Sequence, residues 1–200
     1  MVLAFGLRYN STKIYKNLSS TSILKTDSQQ IISLGMDLNK INTLLGLPSD
    51  TIQNSGNLLI LVYGDHFTNN IKIGFKNNTS VLFKLNQFSG EKFKINKGVK
   101  IGMTDVDFWK TYNIPDDMSY HDKQDVRGVY IFKIWNKNKM QNLTLLNDQM
   151  LEKNEDEKTA EDLYYLDIRI DYKNFSNSIK DILICHSDFF QEYRNYPWPI

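Results

Sequence analysis

At 200 residues, with 41% hydrophobic and 12% aromatic content, the chain is long enough to bury a real core and suits one domain or two small ones. Its net charge of +1 gives no bulk electrostatic reason to expect nucleic acid, and its longest apolar run, Leu58 to Tyr63, falls far short of a membrane span. The single cysteine, Cys185, excludes an intrachain disulfide.

The first thirty residues carry no clear periodicity. Val2 to Leu7 is apolar but short and lacks the basic flank of an export signal. The compartment therefore stays open between the cell envelope or exterior, if a signal has been removed, and the cytoplasm.

A phrase running from Ile32 to Asp50 then recurs from Val99 to Asp117, with Gly102 standing 67 residues after Gly35. Self-similarity of this kind points to a duplicated structural unit. Gly35 and Gly102 release the chain into a turn, and Asp37 and Thr104, two residues on, are favoured N-caps. The spacing predicts helices over Asp37 to Leu45 and Thr104 to Tyr112. Leu38, Ile41, Leu44 and Leu45 form one apolar stripe, and Val106, Phe108, Trp109 and Tyr112 a bulkier one. Gly46 and Asn113 suit a left-handed position after the helix, and Pro48 and Pro115 stop it from continuing.

Sheet follows each helix. Strands are expected at Asn57 to Tyr63, through Ile71, Ile73 and Phe75, and through Val81, Phe83 and Leu85, with a short one at Phe93 and Ile95. After the second helix come Val129 to Trp135, Met140 to Leu146, Tyr164 to Tyr172 and Ile182 to Cys185. Ile71 to Asn77 aligns with Ile168 to Asn174 at a spacing of 97 residues, so the second unit carries about 30 extra residues. The expected organisation is an N-terminal extension over 1–30, a first unit over 31–97, a second over 98–190 with an insertion near 136–165, and a tail over 191–200. The fold class is α+β: two tandem repeats, each with short helices on one face of an antiparallel sheet.

Gly35, Met36, Leu45, Gly46 and Pro48, echoed by Gly102, Met103 and Pro115, form a pattern that resembles the superfamily of β-lactamase inhibitory protein and the small outer-membrane lipoprotein of the barrel-assembly machinery. The resemblance covers roughly Ile32 to Cys185. It implies two helix-on-sheet units forming a concave sheet surface that binds another protein. The chain departs from those proteins in lacking the disulfides of the first and the N-terminal lipid-bearing cysteine of the second, and inhibition of a β-lactamase does not carry over.

Nothing in the residues points to catalysis. His66, His121 and His186 are scattered and lack metal-ligand spacing. Cys185 and His186, as strand neighbours, point to opposite faces and cannot act as a nucleophile and base. Asp65-His66 and His121-Asp122 lie in polar turn sequence. No phosphate-binding loop, dinucleotide fingerprint or nucleophile elbow occurs. No catalytic, cofactor or metal residue is expected, and a hydrolase with an unrecognised site is the remote alternative.

Binding is the sharper expectation. If the apolar strand positions face the helices, the other sheet face presents Lys72, Lys76, Lys84, Arg169 and Lys173, with Asp167 and Asp171 interspersed and Tyr165 at its margin. The strand Val129 to Trp135 is apolar on both sides, so either Tyr130, Phe132 and Ile134 or Val129, Ile131 and Trp135 lies on that face. Aromatic anchors in a charged rim suit a protein partner with an acidic patch, with Trp135 or Tyr165 as the anchor. The expected class is a non-enzymatic protein-binding module, inhibitor-like or immunity-type; the alternative is a cell-envelope structural or assembly factor.

Overall fold

The computed structural model describes residues 18–53, 58–65, 69–114, 127–135, 139–142, 163–171, 177–194, 196 and 198. Among the described residues two antiparallel sheets and three short α-helices make an α+β fold. The strands are β1 (Ser22–Lys25), β2 (Gln30–Ser33), β3 (Asp50–Gln53), β4 (Leu59–Tyr63), β5 (Ile71–Lys76), β6 (Thr79–Leu85), β7 (Phe93–Ile95), β8 (Arg127–Trp135), β9 (Lys139–Asn142), β10 (Leu163–Asp171) and β11 (Ser178–His186). The helices are α1 (Leu38–Leu45), α2 (Asp105–Tyr112) and α3 (Ser187–Arg194). The large sheet runs β3-β4-β5-β6-β11-β10-β8-β9, and the small one β2-β1-β7. Among the described residues no helix is long and apolar enough to cross a membrane.

Both sequence-predicted helices form, and their ends are the ones that backbone chemistry dictates. The Asp37 carboxylate accepts from the N–H of Lys40 at 2.9 Å, and the Thr104 hydroxyl from that of Asp107 at 3.2 Å. Each cap satisfies one of the orphan donors of a helix start. At the other end Gly46 has φ 87° and Asn113 has φ 53°, and the N–H of each closes back onto its helix.

The turn before each helix is pinned to a hairpin by matching bonds. Gly35 N–H donates to the Ser80 carbonyl at 2.8 Å, Ser80 N–H to Met36, and Leu38 N–H to Asn78. Gly102, Ile179 and Asp105 repeat this set with Ile179, Met103 and Asn177 as acceptors. A phenol then ties each helix to the sheet: Tyr63 donates to Asn42 at 2.7 Å, and Trp109 donates to Tyr130 at 2.8 Å. The 67-residue spacing separates Asn42 from Trp109 and Tyr63 from Tyr130.

The first face of the large sheet carries Ile73, Phe83, Ile168 and Ile184, and it is covered by Ile41, Phe108 and the small sheet's Ile23, Ile32 and Ile95. Burying one such side chain contributes about 1.5–3 kcal/mol. Tyr130, Phe132 and Ile134 belong to this core, with Phe108 packed edge-on against Tyr130 at 5.1 Å, while Val129 and Ile131 face the other way. One strand position departs from expectation. A bulge between Gly74 and Phe75 turns Val81 to the second face, where it packs beside Leu58, Ile60 and Leu82.

The ends of the chain differ more. The expected extension over 1–30 contains β1 and the start of β2, which pair with β7 to build the small sheet. The expected tail over 191–200 begins inside α3, whose second half is residues 191–194. Phe189, Phe190 and Tyr193 share one side of α3 and bury against Leu82, Leu183 and Cys185 on the second face of the large sheet. That face is therefore not open. Within the expected insertion near 136–165, Lys139–Asn142 forms the edge strand β9, and the charged stretch from Glu152 to Asp162 lies outside the described residues.

Candidate functional site

Register places charged residues in one row beneath the C-terminal end of α3. Across five strands Lys72 pairs with Lys84, Lys84 with Leu183, Leu183 with Asp167, and Asp167 with Ile131. Arg169 and Asp181 pair in the next polar position. Strand alternation puts all five charged side chains on the second face. A second bulge, between Arg169 and Ile170, leaves Lys180 unmatched, and Lys180 joins Asp181 in the same cleft despite being its strand neighbour.

Two ion-paired groups hold the row. Lys84 Nζ lies 3.0 Å from Asp181 Oδ1. Asp167 Oδ2 accepts from Arg169 Nη2 at 3.1 Å and lies 3.6 Å from Arg194 Nε. Arg169 also donates to the Arg194 carbonyl, a cation on the last turn of α3 that favours the negative end of the helix dipole. Among the described residues Asp167 Oδ1 has no hydrogen-bond partner, and neither do the N–H groups of Arg194 Nε and Trp198 Nε1.

Above this row is a cleft of about 300 Å³, lined by Lys84, Arg169, Lys180 and Arg194 with Tyr196 and Trp198. Asn86, Gln87 and Phe88 complete it, and Asp181 is its one acidic lining residue. Counting Lys72 below, five cations face two carboxylates. Lys180 makes no ion pair among the described residues. Burial lowers the Lys72 pKa, helped by the positive charge of Lys84 and opposed by Asp181.

The sequence reading expected these lysines to be exposed, and the structure corrects this. Lys72 is only 4% and Lys84 7% exposed, because α3 and the residues after it cover the face. Of the seven expected site residues, Lys84 and Arg169 line the cleft, and Lys72 lies beside Lys84 in the row beneath it. Lys76 sits apart, its Nζ 5.0 Å above the Phe189 ring. Tyr165 stacks on Phe190 at 4.5 Å, so that anchor is occupied within the protein. The Trp135 side chain and Lys173 lie outside the described residues. Lys180, Arg194, Tyr196 and Trp198 were missed. The apolar positions Phe189, Phe190 and Tyr193, spaced i, i+1 and i+4, were the available signal for α3.

Cys185 and His186 do diverge. The thiol is buried in the second core, and burial, with Asp188 and Glu192 adding to it, pushes its pKa well up. His186 instead packs against Tyr164 at 5.3 Å and accepts the Asp188 N–H at 3.3 Å. His66 and His121 lie outside the described residues. Among the described residues no cluster of metal-ligating side chains forms.

No family model matches the chain, and no curated protein does. Among solved structures it is similar to an extracellular protein containing an SCP domain from Bacillus anthracis, at 14% identity and a TM-score of 0.47, covering 84% of this chain and 50% of that one. It is also similar to a cysteine-rich secretory protein from Staphylococcus aureus, at 13% identity and a TM-score of 0.45, covering 82% of this chain and 48% of that one. The chain spans about half the length of each.

Proposed function

We propose that the protein is a non-enzymatic binding module that receives an acidic group of a protein partner in the cleft at the end of α3. The observation that carries this reading is the convergence of Lys84, Arg169, Lys180 and Arg194 on one concavity with Asp181 as its single acidic lining residue. A surplus of fixed cations around a recess favours an anionic ligand and speeds its approach at low salt. The two-unit organisation, and with it the likeness to the inhibitory-protein superfamily, belongs to the same proposal. It is supported by the matched capping and turn bonds of α1 and α2.

Lys180 is the residue to perturb, since Lys84 and Arg169 also hold the fold. Titration with a poly-glutamate peptide at low and high salt tests the reading. Binding should weaken as salt rises and fall about tenfold in Lys180→Glu, with the melting temperature unchanged. Absence of binding at low salt, or binding indifferent to Lys180→Glu, overturns it.

A further inference from the structure

Resting on that reading of the cleft, we infer that it takes an acidic side chain standing next to an aromatic one on a peptide segment of the partner, the carboxylate meeting Lys180 and the ring meeting the aromatic wall.

Charge sets how much acid the site needs. Lys84 is paired with Asp181, and Arg169 and Arg194 share Asp167. Lys180 is then the lining cation with no ion pair among the described residues, and one carboxylate answers it. A carboxyl group by itself does not fill a recess of about 300 Å³, which lies at the small end of ligand pockets. The remaining space borders rings.

Those rings are fixed in advance. Tyr193 is fully buried at the end of α3, with the Tyr196 ring 5.6 Å and the Trp198 ring 5.9 Å from it. The two outer rings meet edge to face at 5.0 Å. Backbone bonds hold the same turn: Tyr196 N–H donates to the Tyr193 carbonyl at 3.4 Å, and Trp198 N–H to that of Tyr196 at 2.9 Å. Tyr196 and Trp198 nonetheless stay partly exposed where they line the cleft, as does Phe88 from the segment after β6. Rings ordered before binding lose little freedom on contact, and aromatic anchors carry much of an interface's energy. A partner's ring can pack on them edge-on or offset.

The amides in the lining favour a peptide over a free aromatic acid. Asn86 accepts the Phe88 N–H through Oδ1, while its Nδ2 and the side-chain amide of the exposed Gln87 make no hydrogen bond among the described residues. Both residues line the cleft. Such amides can donate to a partner's main-chain carbonyls, and that of Gln87 can also accept a main-chain N–H, groups that a free acid lacks.

The test is calorimetric titration of the whole chain with the blocked peptide Gly-Glu-Phe-Glu-Gly, its Phe-to-Ala and Glu-to-Gln counterparts, poly-glutamate, and hydrocinnamate as a free aromatic acid. Glutamate on both sides of the ring makes the peptide indifferent to chain direction. It should bind at least about tenfold more tightly than either counterpart and than hydrocinnamate. Trp198→Ala, and separately Phe88→Ala on its own segment, should weaken it about tenfold while leaving poly-glutamate binding unchanged, whereas Lys180→Gln should weaken both ligands. An Ala counterpart that binds as tightly as the parent peptide overturns the inference, as do Trp198→Ala and Phe88→Ala variants that both lose the two ligands equally. Hydrocinnamate matching the peptide overturns the assignment to a peptide segment. If poly-glutamate binds in a salt-dependent way and the phenylalanine adds nothing, this inference falls and the acidic-partner reading stands. If the Glu-to-Gln counterpart binds as tightly as the parent, or no peptide binds, both fall.

Discussion

Replacing Asp167 by Asn keeps the shape of the side chain and removes the one carboxylate that two guanidiniums share. Asp167 is 1% exposed, with Arg169 3.1 Å and Arg194 3.6 Å away. Removing one partner of a fully buried pair costs about 3–5 kcal/mol, because the remaining charge is stranded. The arginines here are 25% and 19% exposed, so water takes up part of the stranded charge, and the cost falls to about 2–3 kcal/mol. In a chain of this length each kcal/mol moves the melting temperature by about 2–4 °C, so Asp167→Asn should melt about 4–12 °C lower. Urea denaturation of Asp167→Asn, Arg194→Gln and the double variant checks the cause. The double variant should lose less than the two single losses together, by about 1 kcal/mol or more, since one interaction is removed twice. A single variant within about 0.5 kcal/mol of the parent would refute the reasoning, because that is the range of surface changes that touch nothing.

Two further outcomes follow from the helix ends and the second core. Gly46 has φ 87° and ψ −173°, a region that side chains occupy only under strain, and nothing stands within 4 Å of an added Cβ. Gly46→Val should therefore cost about 1–3 kcal/mol from backbone alone, and Asn113→Gly, at a left-handed position Asn already tolerates, should change stability by less than about 0.5 kcal/mol, both read by thermal melting. Cys185 should resist alkylation in the native protein and react once urea unfolds it. Because burial raises the folded thiol's pKa above that of the unfolded chain, its contribution is intact below the unfolded value of about 8.5 and is lost as pH rises beyond it. Denaturation midpoints at pH 7 and 10, compared with those of Cys185→Ala, isolate that slope.

Positions where the backbone itself is restricted were legible in the sequence. Asp37, Thr104, Gly46 and Asn113 act through bonds to neighbours a few residues away, so their roles can be read without knowing the fold. Period-two alternation also placed Ile71, Ile73, Phe75, Leu166, Ile168 and Ile170 on the helix face. On the proposed duplication, matching the two bulges sets Phe75 opposite Ser80 against Ile170 opposite Ile179, two residues away from the sequence match of Phe75 with Tyr172. A two-residue slip returns every side chain to its own face, so the assignment survived it. Val81 was misplaced because a bulge adds one residue, not two.

The cleft was illegible for a different reason. Alternation tells which residues share a face but not what lies on it, and here the cover comes from α3, a tertiary contact that no local rule contains. Once Phe189, Phe190 and Tyr193 dock, the lysines beyond them change from a solvated surface into the wall of a recess. Register then explains where the charge collects. The central pair of the large sheet sets Lys84 of β6 against Leu183 of β11, and their outer neighbours in that row are Lys72 and Asp167. On the proposed duplication these are matched positions of two units, and they differ most in chemistry where the turn and cap positions differ least. Lysine stands at both positions in the first half, Lys84 pairing with Asp181, and aspartate at one position in the second half holds two arginines. A symmetric row would give either mutual repulsion or a neutral network. On that proposal the asymmetry gathers Lys84, Arg169, Lys180 and Arg194 around a recess with one acidic lining residue.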